Sequence, residues 1–191
     1  MPMWLATPWY KYEFWLKRLN RIRIRRFVKR CAAKGYFKGP VLDVGAGYRS
    51  NEPEIDVKPY WTLDHESKLN PKFVGDAQNM SMVPSGVVGA IVCTEVLEHV
   101  EEPLKALKEC NRVLKEAGHL VLTTPFWFGI HEKPWQKDYY RYTPSGMKYL
   151  LEQAGFYVIE FETHGWRGKD RPDNIFVVAR KKGNEYDGQS P

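Results

Sequence analysis

Hydrophobic and polar positions change period along the chain, and each change marks an element. Over 9–34, Tyr12, Trp15, Leu16, Leu19 and Ile22, then Ile24, Phe27, Val28 and Cys31, recur at the three- and four-residue spacing of one helix face. The phase slips between Ile22 and Ile24, which allows two helical pieces, and Gly35 with Gly39-Pro40 closes the segment. The pattern then becomes a series of short apolar runs. "PVLDVGAG" (40–47), "YWTLD" (60–64), "KFVGDA" (72–77), "VVGAIVCTE" (87–95) and "GHLVLTTPF" (118–126) read as five buried strands, four of them ending near an acid. Between the last two, Pro103 opens a helix with Leu104, Leu107, Val113 and Leu114 on one side and Gly118 just past its end. Thr143-Pro144 caps a further helix that stops at Gly155, and "FYVIEFET" and "NIFVVARK" supply two more strands.

Apolar strands alternating with helices predict an α/β fold: a Rossmann-like, doubly wound, mostly parallel seven-stranded sheet with helices on both faces, plus the N-terminal basic helix. In such sheets ligands bind beyond the carboxyl ends of the strands. Asp43, Asp64, Asp76 and Glu95 are all expected there, and four clustered acids repel one another unless a ligand rich in hydroxyl or amine donors joins them. The domain organisation follows: a basic helical extension over 1–37, an α/β domain over 38–182 and a polar tail over 183–191 that is expected to be disordered.

Charge and cysteine content narrow the setting. The 191 residues carry +6, but residues 1–40 hold 11 Lys/Arg against Glu13 alone, a surplus of +10 that leaves −4 on the rest. A mildly acidic body disfavours a broad nucleic-acid face. Three widely spaced cysteines, Cys31, Cys93 and Cys110, form neither a disulfide framework nor a zinc pattern, which points to a reducing, cytoplasmic compartment. No apolar run reaches the roughly 18 residues of a membrane span, and the N-terminus lacks the pattern of a signal peptide.

The strings "VLDVGAG", Asp64, "GDA" (75–77), "VCTEVLEHV" (92–100), "NRVLKEAGHLVLTTP" (111–125) and "LLEQAGF" (150–156), in this order, resemble the class I S-adenosylmethionine-dependent methyltransferases of the type 11 group. The resemblance spans about residues 38–180 and implies S-adenosylmethionine as cofactor. It places the methionine part of the cofactor at Asp43, Gly45, Ala46, Gly47 and Thr94, the ribose hydroxyls on Asp64, and the adenine amine on Asp76 with the Ala77 backbone. The sequence departs from the group where Arg49 replaces the third glycine of the first motif. Two prolines then follow where a long helix is usual, so that crossover is expected to be short or missing.

The loop "FWFGIHEKPWQKDYYRYT" (126–143) holds seven aromatics, Phe126, Trp127, Phe128, Trp135, Tyr139, Tyr140 and Tyr142, with His131, Glu132, Asp138 and Arg141. Following a central strand, it should overhang the transferable methyl group. Its His-x-x-Pro and Asp-Tyr-x-Arg-Tyr-Thr strings resemble methyltransferases from bacterial glycan and cell-envelope gene clusters. Two readings stand side by side: walls for a sugar or aromatic acceptor, or an aromatic minicore with Arg141 paired to Asp138. His131 is the candidate general base for an acceptor hydroxyl.

In "TEVLEHV" (94–100), a helical turn would put Glu95, Glu98 and His99 on one face. That spacing resembles the Glu-x-x-Glu-His metal site of ubiquinone-biosynthesis and small-RNA 2′-O-methyltransferases, where magnesium can hold acceptor oxygens. The RNA enzymes add a histidine from the loop after the fifth strand. Counting back from Arg-Tyr-Thr puts Asp138 near that place with His131 nearby, so His131, His99 and Asp138 are the catalytic candidates. The same string occurs in type 11 relatives with no known metal, and the metal-free reading is preferred.

The resemblance favours O-methylation of a sugar, glycan or other small hydroxylated acceptor. The alternatives are methylation of a quinone precursor, another small aromatic or an RNA terminus, and a non-catalytic subunit of the same fold. The basic helix has three readings: a lid packed on the domain with solvated arginines, a peripheral contact on the inner membrane face anchored by Trp4, Trp9, Tyr10, Phe14 and Trp15, or nucleic-acid binding.

Overall fold

The computed structural model describes residues 9–48, 50–127, 129–133, 136–164 and 172–183, with the backbone alone for 9–16. Arg49, Phe128, Trp135, the proposed anchor Trp4, the side chains of the proposed anchors Trp9, Tyr10, Phe14 and Trp15, and most of the tail lie outside what is described. Helix α1 (Trp9–Ala33) is continuous. The apparent phase slip is Ile22 leaving the buried stripe, which runs through Asn20, Ile24, Phe27, Val28 and Cys31. A Schellman cap ends the helix: the Tyr36 N–H donates to the Cys31 carbonyl at 3.2 Å and the Gly35 N–H to that of Ala32 at 2.9 Å. Gly35 has φ +75°, a conformation that a Cβ penalises.

The strands are β1 (Val41–Val44), β2 (Tyr60–Asp64), β3 (Phe73–Val74), β4 (Val88–Thr94), β5 (Leu114–Pro125), β6 (Phe156–His164) and β7 (Asn174–Lys181). They form one sheet in the order β3-β2-β1-β4-β5-β7-β6, with β7 antiparallel to both its neighbours. The predicted fold class is the observed one. Order reverses between β1 and β4, so their C-terminal ends open a crevice. The first crossover carries only α2 (Glu52–Ile55), as the prolines imply.

Alternate residues of each central strand face opposite layers. Val41, Ala90, Val92, Val121, Phe176 and Val178 meet Ile24, Phe27, Val28 and Cys31 of α1. Leu42, Val44, Ile91, Cys93, Leu120, Leu122 and Val177 meet α3 (Pro103–Val113) and α4 (Pro144–Gln153). Helix α1 therefore covers one face of the sheet. The division at residues 37 and 38 separates helix from sheet in sequence but not in packing. Its basic side chains are partly paired with the body: Arg23 with Asp173 at 2.8 Å, Arg25 with Glu54 at 2.7 Å, Lys34 with Glu160 at 2.6 Å, and Arg30 with Glu162.

Two boundaries differ from expectation, and the first is the strand expected over 72–77, which shortens to Phe73–Val74. Helix α3 ends at Val113 rather than near Gly118, and Leu114 already pairs beside Val88. The Gly86 and Val87 N–H groups take the carbonyls of Arg112 and Val113 at 2.9 and 3.0 Å, which stops the helix. Residues between Leu114 and His119 then bulge from the strand, with Ala117 at φ +58°.

Candidate active site

A cavity of about 800 Å³ opens at the C-terminal ends of β1, β2 and β4. Gly45, Gly47, Asp64, Asp76, Ala77, Glu95 and His99 line it, and these residues all came from the sequence. The turn after β1 is built on glycine. Gly45 sits at φ +67° and a Cβ there would meet Val96 Cγ2 at 2.5 Å, so Val96 and the backbone conformation already exclude a side chain. The Gly45 and Ala46 N–H groups donate to the Leu63 carbonyl at 2.8 and 3.3 Å, tying this turn to the end of β2. There Asp64 accepts the Gly47 N–H at 2.9 Å on one carboxylate oxygen and the Glu66 N–H at 3.0 Å on the other. Each oxygen keeps a second lone pair for a ligand. Asp76 accepts from the Gln78 backbone at 2.8 Å and its side-chain amide at 2.9 Å.

The expectation of four acids converging on one ligand is corrected at two positions. Asp43 is fully buried and is absorbed by its neighbours: Oδ2 accepts the Asn51 N–H at 2.9 Å and the Tyr60 hydroxyl at 2.5 Å. Asn51 Nδ2 reaches Thr94 Oγ1 at 3.2 Å. Asp43 and Thr94 thus brace the turn from behind and do not line the cavity. Glu95 does border the cavity, but its carboxylate is occupied. Asn20 Nδ2 donates to Oε2 at 3.1 Å and Thr123 Oγ1 to Oε1 at 2.9 Å, while Asn174 Nδ2 lies 3.4 and 3.3 Å from the two oxygens.

Burial pushes the Asp43 carboxyl up to about 6, against the opposing effect of its Asn51 and Tyr60 hydrogen bonds. The folded state therefore holds this proton more tightly than the unfolded state. Stability from Asp43 is greatest below its unfolded value near 3.8 and falls as pH rises through about 6. Urea unfolding at pH 4 and pH 7 should show Asp43→Asn gaining on the wild type by up to about 3 kcal/mol at the higher pH. A stability gap independent of pH would contradict this assignment. Other carboxyls titrate in both proteins and cancel.

The segment after β4 does not form the expected helical turn. Glu95 has φ +56°, Val96 is non-helical, and only Leu97–His99 makes a 3₁₀ turn. Glu95 therefore leaves the face shared by Glu98 and His99, and the candidate metal triad is not assembled. In its place, ligating atoms of Glu98, His99 and His131 lie within 4.8 Å of one another. Both Glu98 oxygens are buried with no hydrogen-bond partner, and burial together with nearby Glu95 raises its carboxyl well above the usual range.

The two histidines have assignable tautomers. His99 Nδ1 lies 2.5 Å from the Lys137 carbonyl, which can only accept, so Nδ1 carries the proton. Nε2 is then a lone pair, 3.7 Å from Glu98 Oε1. Burial lowers the His99 pKa, which keeps the ring neutral near pH 7. His131 Nδ1 is 3.2 Å from both the Gly129 carbonyl and Asp138 Oδ2, leaving Nε2 to accept. The rings meet edge to face at 4.9 Å.

Asp138 supports this pair without lining the cavity. It accepts the His131 N–H at 3.0 Å and holds Arg141 through both oxygens at 2.5 and 2.6 Å. Burial alone would raise its carboxyl; Arg141 and His131 outweigh that and hold it at about 2. The aromatic loop is stitched to the turn after β4. Tyr139 and Tyr140 N–H groups donate to the Glu98 carbonyl at 2.7 and 3.3 Å, and the Tyr142 hydroxyl donates to that of Leu97 at 2.8 Å. Buried Tyr142 and the Arg141–Asp138 pair follow the minicore reading, while Trp127, Tyr139 and Tyr140 stay exposed.

Sequence reading missed Asn20, Asn51, Tyr60 and Asn174. Asn20 carried a signal, since a polar residue occupies the apolar stripe four positions before Ile24. The other three reach their partners only through the tertiary fold.

A family model described as a methyltransferase domain matches residues 15–161, and the chain belongs to that family. Two curated relatives are ubiquinone biosynthesis O-methyltransferases. The one from Alkalilimnicola ehrlichii is 30% identical over 92 residues, covering 48% of this chain and 32% of its own length. That from Pseudomonas aeruginosa is 28% identical over 109 residues, covering 57% and 41%. The chain thus spans well under half of either. Among solved structures, an S-adenosylmethionine-dependent methyltransferase from Clostridium acetobutylicum superposes with a TM-score of 0.71 at 10% identity, over 92% of this chain and 99% of that one. The fold is that of the class I methyltransferases.

Proposed function

We propose that the cavity binds S-adenosylmethionine and that the chain transfers its methyl group to a hydroxyl of a small acceptor by direct displacement. The observation that carries this reading is that Gly45, Gly47, Asp64, Asp76, Ala77 and His99 line one cavity at the carboxyl ends of β1, β2 and β4. Asp64 accepts the ribose hydroxyls with the lone pairs left by Gly47 and Glu66, and Asp76 faces the adenine amine. The volume exceeds what one nucleoside-sized ligand needs and leaves room for an acceptor. The sulfonium methyl is already activated, so the protein has to align the acceptor oxygen and take its proton. His131 suits that role: Asp138 orients its Nδ1–H and leaves Nε2 as the base.

The acceptor class is a sugar or glycan hydroxyl, supported by the exposed Tyr139 and Tyr140, whose N–H groups bond to the turn that carries His99. A quinone precursor is the second reading, favoured by the name of the relatives. Three buried, unpaired cysteines agree with a cytoplasmic setting. Tritiated S-adenosylmethionine with cell fractions separates the readings. Label in polysaccharide or glycolipid supports the first and label in extracted quinones the second. Saturable binding with no labelled product would point to a non-catalytic subunit.

The orphaned Glu98 carboxyl and two imidazole lone pairs also fit a divalent cation, with Glu98, His99 and His131 as holders in place of the Glu95, Glu98 and His99 candidates. Such an ion would supply charge to polarise acceptor oxygens. Two imidazoles and one carboxylate are a softer set than magnesium prefers, so manganese or zinc suits it better. Glu98→Ala should then abolish metal-dependent turnover while S-adenosylhomocysteine binding changes less than about twofold, since Glu98 does not line the cavity wall. Full activity of the wild type in chelator would remove the ion from the mechanism.

A further inference from the structure

Helix α1 divides its charge unevenly around its axis. The buried stripe faces the sheet, and Arg23, Arg30 and Lys34 on one flank, with Arg25 on the other, pair with acids of the body. The arc opposite the stripe carries Arg18, Leu19, Ile22, Arg26 and Lys29, all exposed, with Leu19 at 46% and Ile22 at 38%. Among the described residues Arg26 and Lys29 have no ion-pair partner, and no acid lies between Glu13 and Asp43 to neutralise the arc from its own helix.

The helix runs toward the cavity edge. Asn20 donates to Glu95 in the cavity wall, and Arg23 pairs with Asp173. The Asp173 carbonyl in turn accepts the Phe126 and Trp127 N–H groups at 2.8 and 3.3 Å. Leu19 lies one turn before Arg23, toward the same edge. Two more exposed apolar side chains, Trp127 at 50% and Ile130 at 82%, belong to the β5–α4 loop that Asp173 anchors through Phe126 and Trp127. The Asn20–Arg23 part of α1 and the start of the β5–α4 loop thus meet at the sheet edge where Glu95 borders the cavity.

We propose that the outer arc of α1, with Trp127 and Ile130, seats peripherally on an anionic lipid surface and holds the cavity mouth against it. Exposed alkyl and indole groups enter the headgroup boundary while the basic residues meet lipid phosphates, each contributing about 1 kcal/mol near an anionic surface. Interleaved Leu19 and Ile22 have no use against a nucleic-acid backbone, and the −4 on residues 41–191 repels a polyanion longer than the helix. No described helix is long and apolar enough to cross a membrane, so the contact is one of surface seating. It rests on the proposed methyl transfer only for its consequence, presentation of a lipid-anchored acceptor to the site.

The test is flotation of the full chain with vesicles of phosphatidylcholine alone or mixed with phosphatidylglycerol, read as bound protein and independent of any methyl transfer. The wild type should float with the mixed vesicles, stay behind with phosphatidylcholine, and be released by high salt. Arg26→Glu with Lys29→Glu, and separately Leu19→Ser with Ile22→Ser, should each weaken partitioning about tenfold or more. Unchanged circular dichroism and thermal melting certify that the variants are folded. The salt response of the wild type decides should either variant not fold. Absence of flotation with the mixed vesicles, equal flotation with both compositions, or binding to homopolymeric RNA without vesicle binding would overturn the proposal.

Discussion

Asp64→Ala lowers the affinity for S-adenosylhomocysteine by about 100-fold or more, as titration calorimetry would read it. The carboxylate stands at the end of β2 with one lone pair on each oxygen committed to Gly47 and Glu66. The two that remain can accept both hydroxyls of a ribose, and each charge-assisted bond contributes about 1.5–3 kcal/mol. Losing two such bonds corresponds to at least that factor in affinity. Asp64→Asn keeps one acceptor oxygen and should fall between wild type and alanine. The ordering matters, because a variant that merely loosened the Gly45–Gly47 turn would weaken with either substitution alike. Unaltered affinity in Asp64→Ala would place the cofactor elsewhere.

The largest stability effect is expected far from the cavity, at Phe27→Ala. Phe27 is buried under the sheet and meets Phe176 edge to face with ring centroids 5.0 Å apart. Truncation of a buried phenylalanine costs about 3–5 kcal/mol, which for a domain of this size lowers Tm by roughly 10 °C. Lys29→Ala on the exposed side of the same helix should stay within about 0.5 kcal/mol. If α1 were a detachable extension, both substitutions would leave the melting of the sheet unchanged.

Much of the site was legible because its signals are local. Glycines at 45 and 47 adopt positive φ, and an acid at the end of an apolar run reaches the sheet edge wherever a parallel sheet forms; Asp64 and Asp76 are two such acids. That helices cover both faces of the sheet follows from runs too apolar for one-sided burial. The histidines were legible as chemistry but not as a constellation, since His131 meets His99 only because Tyr139 and Tyr140 bond the loop back onto Glu98.

By itself, then, the chain's pattern determined the α/β class, the strand ends, the glycine turn and two of the acids on the cavity wall, because period and backbone conformation are properties of neighbouring residues. Only the tertiary structure decided which acids stay available. Asp43 is claimed by Asn51 and Tyr60, and Glu95 by Asn20, Thr123 and Asn174, positions that lie up to 79 residues away in the chain. It also decided that an arginine-rich helix is half core, since the face that buries Phe27 and the arc that exposes Arg26 are separated only once the sheet is present to cover one of them. A carboxylate or an arginine has the same chemistry wherever it stands in sequence; burial and partners, supplied from afar, determine whether it binds a ligand, braces a turn or meets a surface.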